Sequence, residues 1–409
     1  MPISVGVVFG GTSPEHEVSV ISGLQAAAAL DHERFTPVPV YIAKSGRWYT
    51  GESLLEGARY EDLDLLVREA TEVTLRPREG RAARLVGDPP DGLVARIAGR
   101  RVEIPVDVLL LVLHGGPGEG GAVQGVCEAA GVPYTGSGVL GSALGMDKVL
   151  TKMICRDQEI PVVDWVAIRE ADWQGNEDQW LGDIERRLGM PVIVKPARLG
   201  SSIGISMARD RDSLDRAVEE AMRYDEKVVV ERAVTALREV NCSVLGTPRA
   251  ARASAIEQPV KSAGEALLTF SEKYERGAGK GAKRAATRAE SGMASLGRII
   301  PAPITDALAD QVRDIAVRVF RLFECSGVAR VDFLIDDADG QVYFNEINTI
   351  PGSLSFYLWD PAGVPFDELL AEMIGQAVER HRDEAGRVRT FETNILSATS
   401  VSGLKAAKR

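Results

Sequence analysis

Two short segments hold the side chains best suited to chemistry, Arg330-Val331-Asp332-Phe333 and Asn345-Glu346-Ile347-Asn348-Thr349-Ile350-Pro351-Gly352. They read as the strands of a hairpin, Val328 to Ile335 and Gln341 to Ile347, joined across an Asp/Gly-rich turn at Asp336 to Gly340. Residues two apart on a strand share a face, so Arg330 projects with Asp332 and Glu346 with Asn348. A loop of Asp336 to Gly340 gives the cross-strand partners an even sum and puts all four on one face. Three oxygen donors and a guanidinium together are costly to bury without a purpose. Hard oxygen ligands suit Mg²⁺ bound to phosphates, and an adjacent arginine suits a developing oxyanion. The competing reading is a solvated face with ordinary ion pairs. The apolar residues between them and the rigid Thr-Ile-Pro-Gly ending argue against it.

A glycine-serine turn supplies a second feature. Lys195-Pro196-Ala197-Arg198-Leu199-Gly200-Ser201-Ser202-Ile203-Gly204 places a lysine at a strand end, just ahead of the turn. Backbone N–H groups in such a turn cradle phosphate oxygens while the lysine adds a point charge. The order Gly-Lys-Ser/Thr of the Walker loop is missing, as is a Gly-x-Gly-x-x-Gly after the first strand. Alone the turn is weak evidence; with the carboxylate and amide hairpin it reads as a nucleotide and metal site.

The elements that must position these groups follow an α/β pattern. A buried strand at Ile3 to Phe9, a glycine turn and a helix through Ala29 form the first unit of a parallel sheet. A strand follows at Pro37 to Ile42. The stretch from Gly51 to Ile104 reads as β-hairpins at the rim, and Val106 to Leu113 returns to the sheet. A second module begins near Ser137, with helices around Lys148 to Asp157, Gln179 to Leu188 and Ser213 to Arg223. Its strands are Pro191 to Lys195 and Lys227 to Glu231. The third module holds the hairpin and a helix at Asp306 to Phe323. Three domains result: 1–136, an α/β domain for the first substrate; 137–230, central; and 231–409, C-terminal, with a long loop at about 275–298. That loop is rich in Gly, Ala, Lys and Arg with almost no apolar periodicity, and reads as a lid or a disordered insertion.

A chain of 409 residues is too long for one core. A net charge of −11 argues against a general nucleic-acid partner. Cys127, Cys155, Cys242 and Cys325 stand singly without metal-ligand spacing and read as reduced, buried thiols. No basic region followed by an apolar stretch opens the chain, and the longest apolar run, Val106 to Leu113, is too short to span a bilayer. A cytoplasmic protein without a membrane partner is expected.

The chain resembles the D-alanine–D-alanine ligases of the ATP-grasp superfamily along nearly its whole length. The resemblance rests on motifs in the expected order: Phe9 to Ser19, reading Phe-Gly-Gly-Thr-Ser-Pro-Glu-His-Glu-Val-Ser; His114-Gly115 through Glu119, with Gln124-Gly125; Pro133 to Ser137; Met146-Asp147-Lys148; Val194-Lys195-Pro196 with Gly200-Ser201-Ser202; Lys273-Tyr274; and both hairpin segments. It implies an α/β ATP-grasp fold, with an N-terminal parallel α/β domain and central and C-terminal α+β domains enclosing ATP. By motif match Lys148 and Lys195 would contact the ATP phosphates, with the loop at Ser201 and Ser202 closing over them. Glu231 would lie beside the adenine and Glu239 would bind the ribose, one residue further along than is common. Asp332, Glu346 and Asn348 would hold two Mg²⁺ ions, or Mn²⁺. Arg330 and the Gly352 N–H would form the oxyanion site.

The resemblance also implies that Glu15 lies near the ammonium of the first D-alanine. The alternative is a capping box over Thr12 to Glu15 that merely starts a helix. Lys273 would approach phosphate or a substrate carboxylate, and Tyr274 would join a hydrogen-bond chain with Ser201 and Glu15. For His114, a structural role and a substrate contact are equally open. The loop around Tyr274 has no histidine, the residue usual in relatives making a D-lactate ester, which favours amide formation. A homodimer using ATP and D-alanine is implied.

Two departures stand out. The loop after Tyr274 is longer and more basic than in compact members. After Gly352 the chain reads Ser353-Leu354-Ser355-Phe356-Tyr357-Leu358-Trp359-Asp360-Pro361, with Tyr357 and Leu358 where a Ser-Leu pair usually binds the second D-alanine's carboxylate. A hydroxyl from Tyr357 or Ser355 is the candidate replacement, and core packing by Phe356 to Trp359 is the alternative. An ATP-grasp ligase for another amino acid pair, or a non-catalytic nucleotide-binding regulator, remain the competing functions.

Overall fold

The computed structural model describes residues 2–78, 81–88, 102–260 and 297–388. Three sheets, in chain order, carry the described strands. The first has seven strands: β1 (Ile3–Gly10), β2 (Phe35–Ile42), β3 (Trp48–Thr50), β4 (Thr71–Arg78), β5 (Arg81–Asp88), β6 (Val102–Pro105) and β7 (Val108–Leu111). Their order is β6-β5-β4-β3-β2-β1-β7. β1 runs parallel to β2 and β7, and the remaining pairings are antiparallel. The near-continuous apolar runs of β1 and β7 follow from burial on both faces. The expected rim hairpins are the antiparallel extension of this sheet.

The second sheet contains β8 (Trp165–Arg169), β9 (Val192–Pro196), β10 (Ser206–Ala208) and β11 (Lys227–Arg232), ordered β10-β9-β11-β8 and wholly antiparallel. The helices Glu177–Leu188 and Arg211–Met222 cover one face through Leu181, Ile184, Leu214 and Val218. The third sheet contains β12 (Leu237–Gly246), β13 (Ala251–Pro259), β14 (Arg298–Ile299), β15 (Gly327–Asp336) and β16 (Gln341–Asn348), ordered β14-β13-β12-β15-β16. The helix Asp306–Leu322 buries Val312, Ile315, Val319 and Phe320 against it.

Core packing ties these sheets together. The helix Lys148–Asp157 lends Cys155 to the core of the third sheet, and Phe366–Ala385 lends Leu369, Met373 and Ile374 to that of the first. All four cysteines are free and buried, as expected. Among the described residues no helix is long and apolar enough to cross a membrane.

The hairpin corrects the expected register. Asp336 pairs with Gln341, so the turn is even-numbered and the partner sums near it are odd. That register would send Glu346 to the same face as Val331. A bulge between Asp332 and Phe333 on one side, absorbing Asn345 on the other, shifts the pairing by one. Asp332 then faces Glu346 and Arg330 faces Asn348. The four side chains do share a face, but the bulge rather than the turn puts them there.

One close approach fixes the first helix, His16–Ala29, on β1. A Cβ on Gly23 would lie 2.4 Å from the Phe9 Cβ, an atom that no rotamer change can move. Gly→Ala in a helix interior ordinarily stabilises by about 1 kcal/mol. Gly23→Ala should instead destabilise by about 1–3 kcal/mol through overpacking; a denaturation midpoint equal to or above that of the parent chain would contradict this packing.

Candidate active site

Residues from the second and third sheets, and from the segments that follow β1 and β7 of the first, line one cleft. Lys195, at the end of β9, sits on the second sheet with Glu231 of β11, and their charged groups lie 2.7 Å apart. Glu231 has a second cation, Lys152, at 2.9 Å, and both it and Lys152 are almost wholly shut off from solvent. Burial alone would raise the Glu231 carboxyl, but the two lysines hold it down at about 2. Lys195 also donates to the side-chain oxygen of Asn345, the bulge residue, at 3.1 Å. The bulge thus re-aims the hairpin and contributes a contact to the neighbouring sheet.

Lys148 is the first residue of its helix because Asp147 caps it, accepting from the N–H groups of Val149 and Leu150. Its ammonium donates to the Leu199 carbonyl at 2.8 Å and lies 3.1 Å from Glu346. Lys152, four residues on, shares its helix face. The loop that follows β9 runs left-handed at Ser201 and Ser202, with φ of 53° and 61°. From it the Ser201 hydroxyl donates to the Glu15 carboxylate.

Glu15 does not close a capping box. The helix begins at His16 with Glu15 at its N-cap position and no side-chain cap bond. Its carboxylate passes instead between two loops, and glycines make the passage possible. A Cβ on Gly115 would lie 2.3 Å from a Glu15 carboxylate oxygen, and one on Gly200 3.0 Å. His114 takes a structural part. Its Nδ1 donates to the Ile350 carbonyl at 2.9 Å, and its Nε2 accepts from Ser22, whose oxygen accepts from the Ser353 N–H. Burial depresses the imidazole to about 4, consistent with this neutral tautomer.

On the third sheet, Arg330 and Asp332 form a two-pronged pair at 2.7 and 2.8 Å, and Asn348 donates to Asp332 at 3.2 Å. Burial alone would depress the Arg330 guanidinium, but Asp332 keeps it well above its ordinary value. Glu239 and Gly352 line the same cleft, as do Ser202 and Glu231. Lys273 and Tyr274, with nearly all of the loop 275–298, lie outside the described residues.

The structure adds residues that the sequence analysis passed over. Asn241 on β12 sits directly across from Asp332, and Glu257 on β13 directly across from Asn241, to which Asn241 donates at 3.0 Å. Each alternates with buried apolar neighbours, Val240 and Cys242 beside Asn241 and Ile256 before Glu257, a phase visible in the sequence once the strands are placed. Arg298 on β14 pairs with Glu257 at 2.9 Å. Glu119, which the sequence analysis quoted in a motif without a role, is half-buried and accepts from the N–H groups of Gly115 at 3.0 Å and Ile350 at 3.3 Å.

The chain as a whole is similar to known ligases. A family model described as D-ala D-ala ligase N-terminus matches residues 4–137, and one described as D-ala D-ala ligase C-terminus matches 154–375. D-alanine–D-alanine ligase from Thermosipho melanesiensis is 37% identical over 394 residues, covering 96% of this chain and 98% of the relative. The one from Geobacillus kaustophilus is 35% identical, covering 96% and 99%. Among solved structures, the D-alanine–D-alanine ligase of Coxiella burnetii is 28% identical with a TM-score of 0.72, covering 94% of this chain and 96% of that one. The VanG D-Ala:D-Ser ligase from Enterococcus faecalis is also 28% identical, with a TM-score of 0.71 and coverage of 92% and 100%.

Glu119 yields a pH test. Burial, with the nearby charge of Glu15, pushes its carboxyl up to about 7. A raised folded-state value contributes stability in full below the unfolded value near 4.5, and that contribution is lost as pH rises through 7. The span corresponds to ~3 kcal/mol. Glu119→Gln should flatten the dependence of stability on pH between about 5 and 7, read by urea melts of the nucleotide-free protein. An unchanged slope would show that Glu119 does not titrate in this window.

Proposed function

Because the chain belongs to the D-alanine–D-alanine ligase family, with the ATP-grasp fold, we propose that it joins two D-alanines at the expense of ATP, supplying D-alanyl-D-alanine for peptidoglycan. The observation that supports this reading best is the meeting in one cleft of Lys195, Arg330, the Asp332–Glu346 pair and the Glu15–Ser201 contact, with Lys148 reaching Glu346 from its helix.

In this reading Lys148 and Lys195 exchange their carboxylate partners for the ATP phosphates, and the loop at Ser201 and Ser202 covers them. Glu231 and Glu239 serve the adenosine. Glu15 receives the ammonium of the first D-alanine. That substrate's carboxylate attacks the γ-phosphorus, giving an acyl phosphate and ADP. The amine of the second D-alanine, having lost a proton, adds to the acyl carbon. Arg330 and the Gly352 N–H stabilise the oxyanion, and collapse expels phosphate. Keeping the acyl phosphate from water is the physical task of the covering loops, with Lys273 and Tyr274 proposed to take part.

The donor set fits a divalent cation. Asp332 and Glu346 are directly opposed across two strands with Asn348 beside them, all hard oxygen donors, and Arg330 and Lys148 offset their charge. These three residues would hold Mg²⁺, which when bound offsets charge on the transferring phosphoryl group. We take the domains as 1–136, 137–230 and 231–409, and the protein as a cytoplasmic homodimer without nucleic-acid or membrane partners, on resemblance and composition.

A second substrate pair is the alternative that one observation favours. The Tyr357-Leu358 departure falls where the second substrate is held, and one structural relative is a D-Ala:D-Ser ligase. A regulator is disfavoured because Arg330, Asp332, Glu346 and Asn348 are all present and brought together.

Phosphate release from ATP and Mg²⁺ should appear with D-alanine alone and not with L-alanine, and mass and chiral analysis should find D-alanyl-D-alanine. Turnover only with D-serine or another acceptor would move the specificity and keep the chemistry. Arg330→Lys should lower kcat about 10²–10³-fold in a chain that still folds; a change below about threefold would remove Arg330 from the oxyanion site.

A further inference from the structure

The second substrate is an amino acid, so its carboxylate must be met by a donor set that this chain has changed. Tyr357 and Leu358 stand where a serine hydroxyl is usual. Leu358 is wholly buried, and the Tyr357 ring lies beneath the surface of the cleft. Above the ring sits Arg298, its guanidinium carbon 3.6 Å from the ring centre. One of its terminal nitrogens is paired with Glu257 at 2.9 Å. Glu257 is fixed in turn by Asn241, and Asn241 lies across from Asp332. Arg298 lines the cleft and is itself largely buried, its side chain 11% exposed.

Arg232 lines the cleft and pairs with Asp164, while three cations nearer the hairpin have carboxylate partners. Lys148 faces Glu346, Lys195 faces Glu231, and Arg330 faces Asp332. Arg298 enters from the opposite edge of the third sheet, on the strand furthest from the hairpin. A guanidinium carries five N–H donors in a planar fork, more than one carboxylate engages, and stacking on an aromatic face fixes the plane. The Tyr357 hydroxyl is shut off from solvent, and Arg298 is its polar neighbour as well as lying over its ring face.

Resting on the ligase reading above, we propose that Arg298, clamped between Glu257 and the Tyr357 ring, binds the carboxylate of the amine-donating substrate and so selects amino acids as acceptors. Tyr357 acts as the platform that orients the fork, and Glu257 is a positioning residue. The arrangement replaces a short neutral hydroxyl with a long cation.

The test is steady-state kinetics of the full chain with ATP and Mg²⁺ saturating and D-alanine varied, which separates the KM of the first and second D-alanine. Arg298→Ala should raise the second KM on the order of 30-fold or more, the loss of a charge-assisted contact, with the first KM within about twofold. D-Alaninamide offered as acceptor beside D-alanine gives an independent readout. The parent chain should prefer the carboxylate strongly, and Arg298→Ala should lose most of that preference. Isotope exchange within ATP, which reports acyl-phosphate formation, should survive the substitution. Equal changes in both KM values, or an unchanged acceptor preference, would overturn the assignment. Should Arg298→Ala fail to fold, Arg298→Lys decides: a rise confined to the second KM supports the clamp, and parent-like kinetics overturn it. Glu257→Gln should raise the same KM without altering the preference for a carboxylate. If the parent chain forms no dipeptide from any amino acid pair, the ligase reading itself fails; if it does and only the Arg298 results are contrary, this assignment alone is lost.

Discussion

Every charge buried in the cleft needs an opposite charge, and that balance is struck partly within each sheet and partly between them. Glu231 is tolerated in an apolar strand only because Lys195 and Lys152 lie within 3 Å of it. Lys195 also reaches Asn345 on the third sheet, and Lys148 reaches Glu346. Ser201 reaches back to Glu15 on the first. These contacts tie the three sheets around one cleft, adding to the apolar packing that already joins the first sheet to the third. The same pairing keeps the site ready for an anionic substrate. In the proposed reading, a phosphate group entering the cleft takes over lysines already desolvated and aimed, and releases Glu231 and the proposed cation ligand Glu346.

The bulge at Asn345 shows how such a site is encoded. An even turn would have placed the hairpin out of phase, with Glu346 among the apolar core residues. One inserted residue corrects the phase and hands its own amide to Lys195. The shift is visible in the sequence: the apolar positions run Val342, Phe344, then Ile347, breaking the period of two where the bulge lies. The hairpin reading found the four residues on one face, but assigned that outcome to the turn.

Much of the fold was legible because local patterns agreed with global packing. The helix Lys148–Asp157 is bounded as the sequence implied, and the parallel core of the first sheet follows from its apolar runs. Legibility failed where a residue's role depends on what another strand places opposite it. Asn241 and Glu257 look like ordinary polar interruptions of strands until β12 and β13 are set beside β15. Lys152 was readable as a same-face partner of Lys148, but nothing in one helix says that Glu231 waits on a strand some eighty residues on. The Thr12 to Glu15 pattern left two readings side by side, a helix start and a substrate contact. It satisfies a local helix-start rule, yet the carboxylate is drawn away by loops whose glycines leave it space.

Backbone strain after the hairpin has a related cause. Ser353, Leu354 and Ser355 all adopt left-handed conformations, with φ of 51°, 50° and 52°, in a run without glycine. Each costs of the order of 1–2 kcal/mol, and the run persists only if the surroundings over-determine it. They do so at both ends. The Ser353 N–H is held by Ser22, which is held by His114, and Leu354 is buried in the first core. Beyond the turn, Trp359 is buried with its indole N–H donating to Ser243, and Ser243 donates to the Ala329 carbonyl beside Arg330. A relaxed chain leaving Gly352 would carry Phe356 to Trp359 away from the sheet. The left-handed turn folds them back beneath it and sets the Tyr357 ring under Arg298. The strain is therefore balanced by apolar burial, and what it secures is the stacking of the Tyr357 ring against Arg298 at one edge of the cleft.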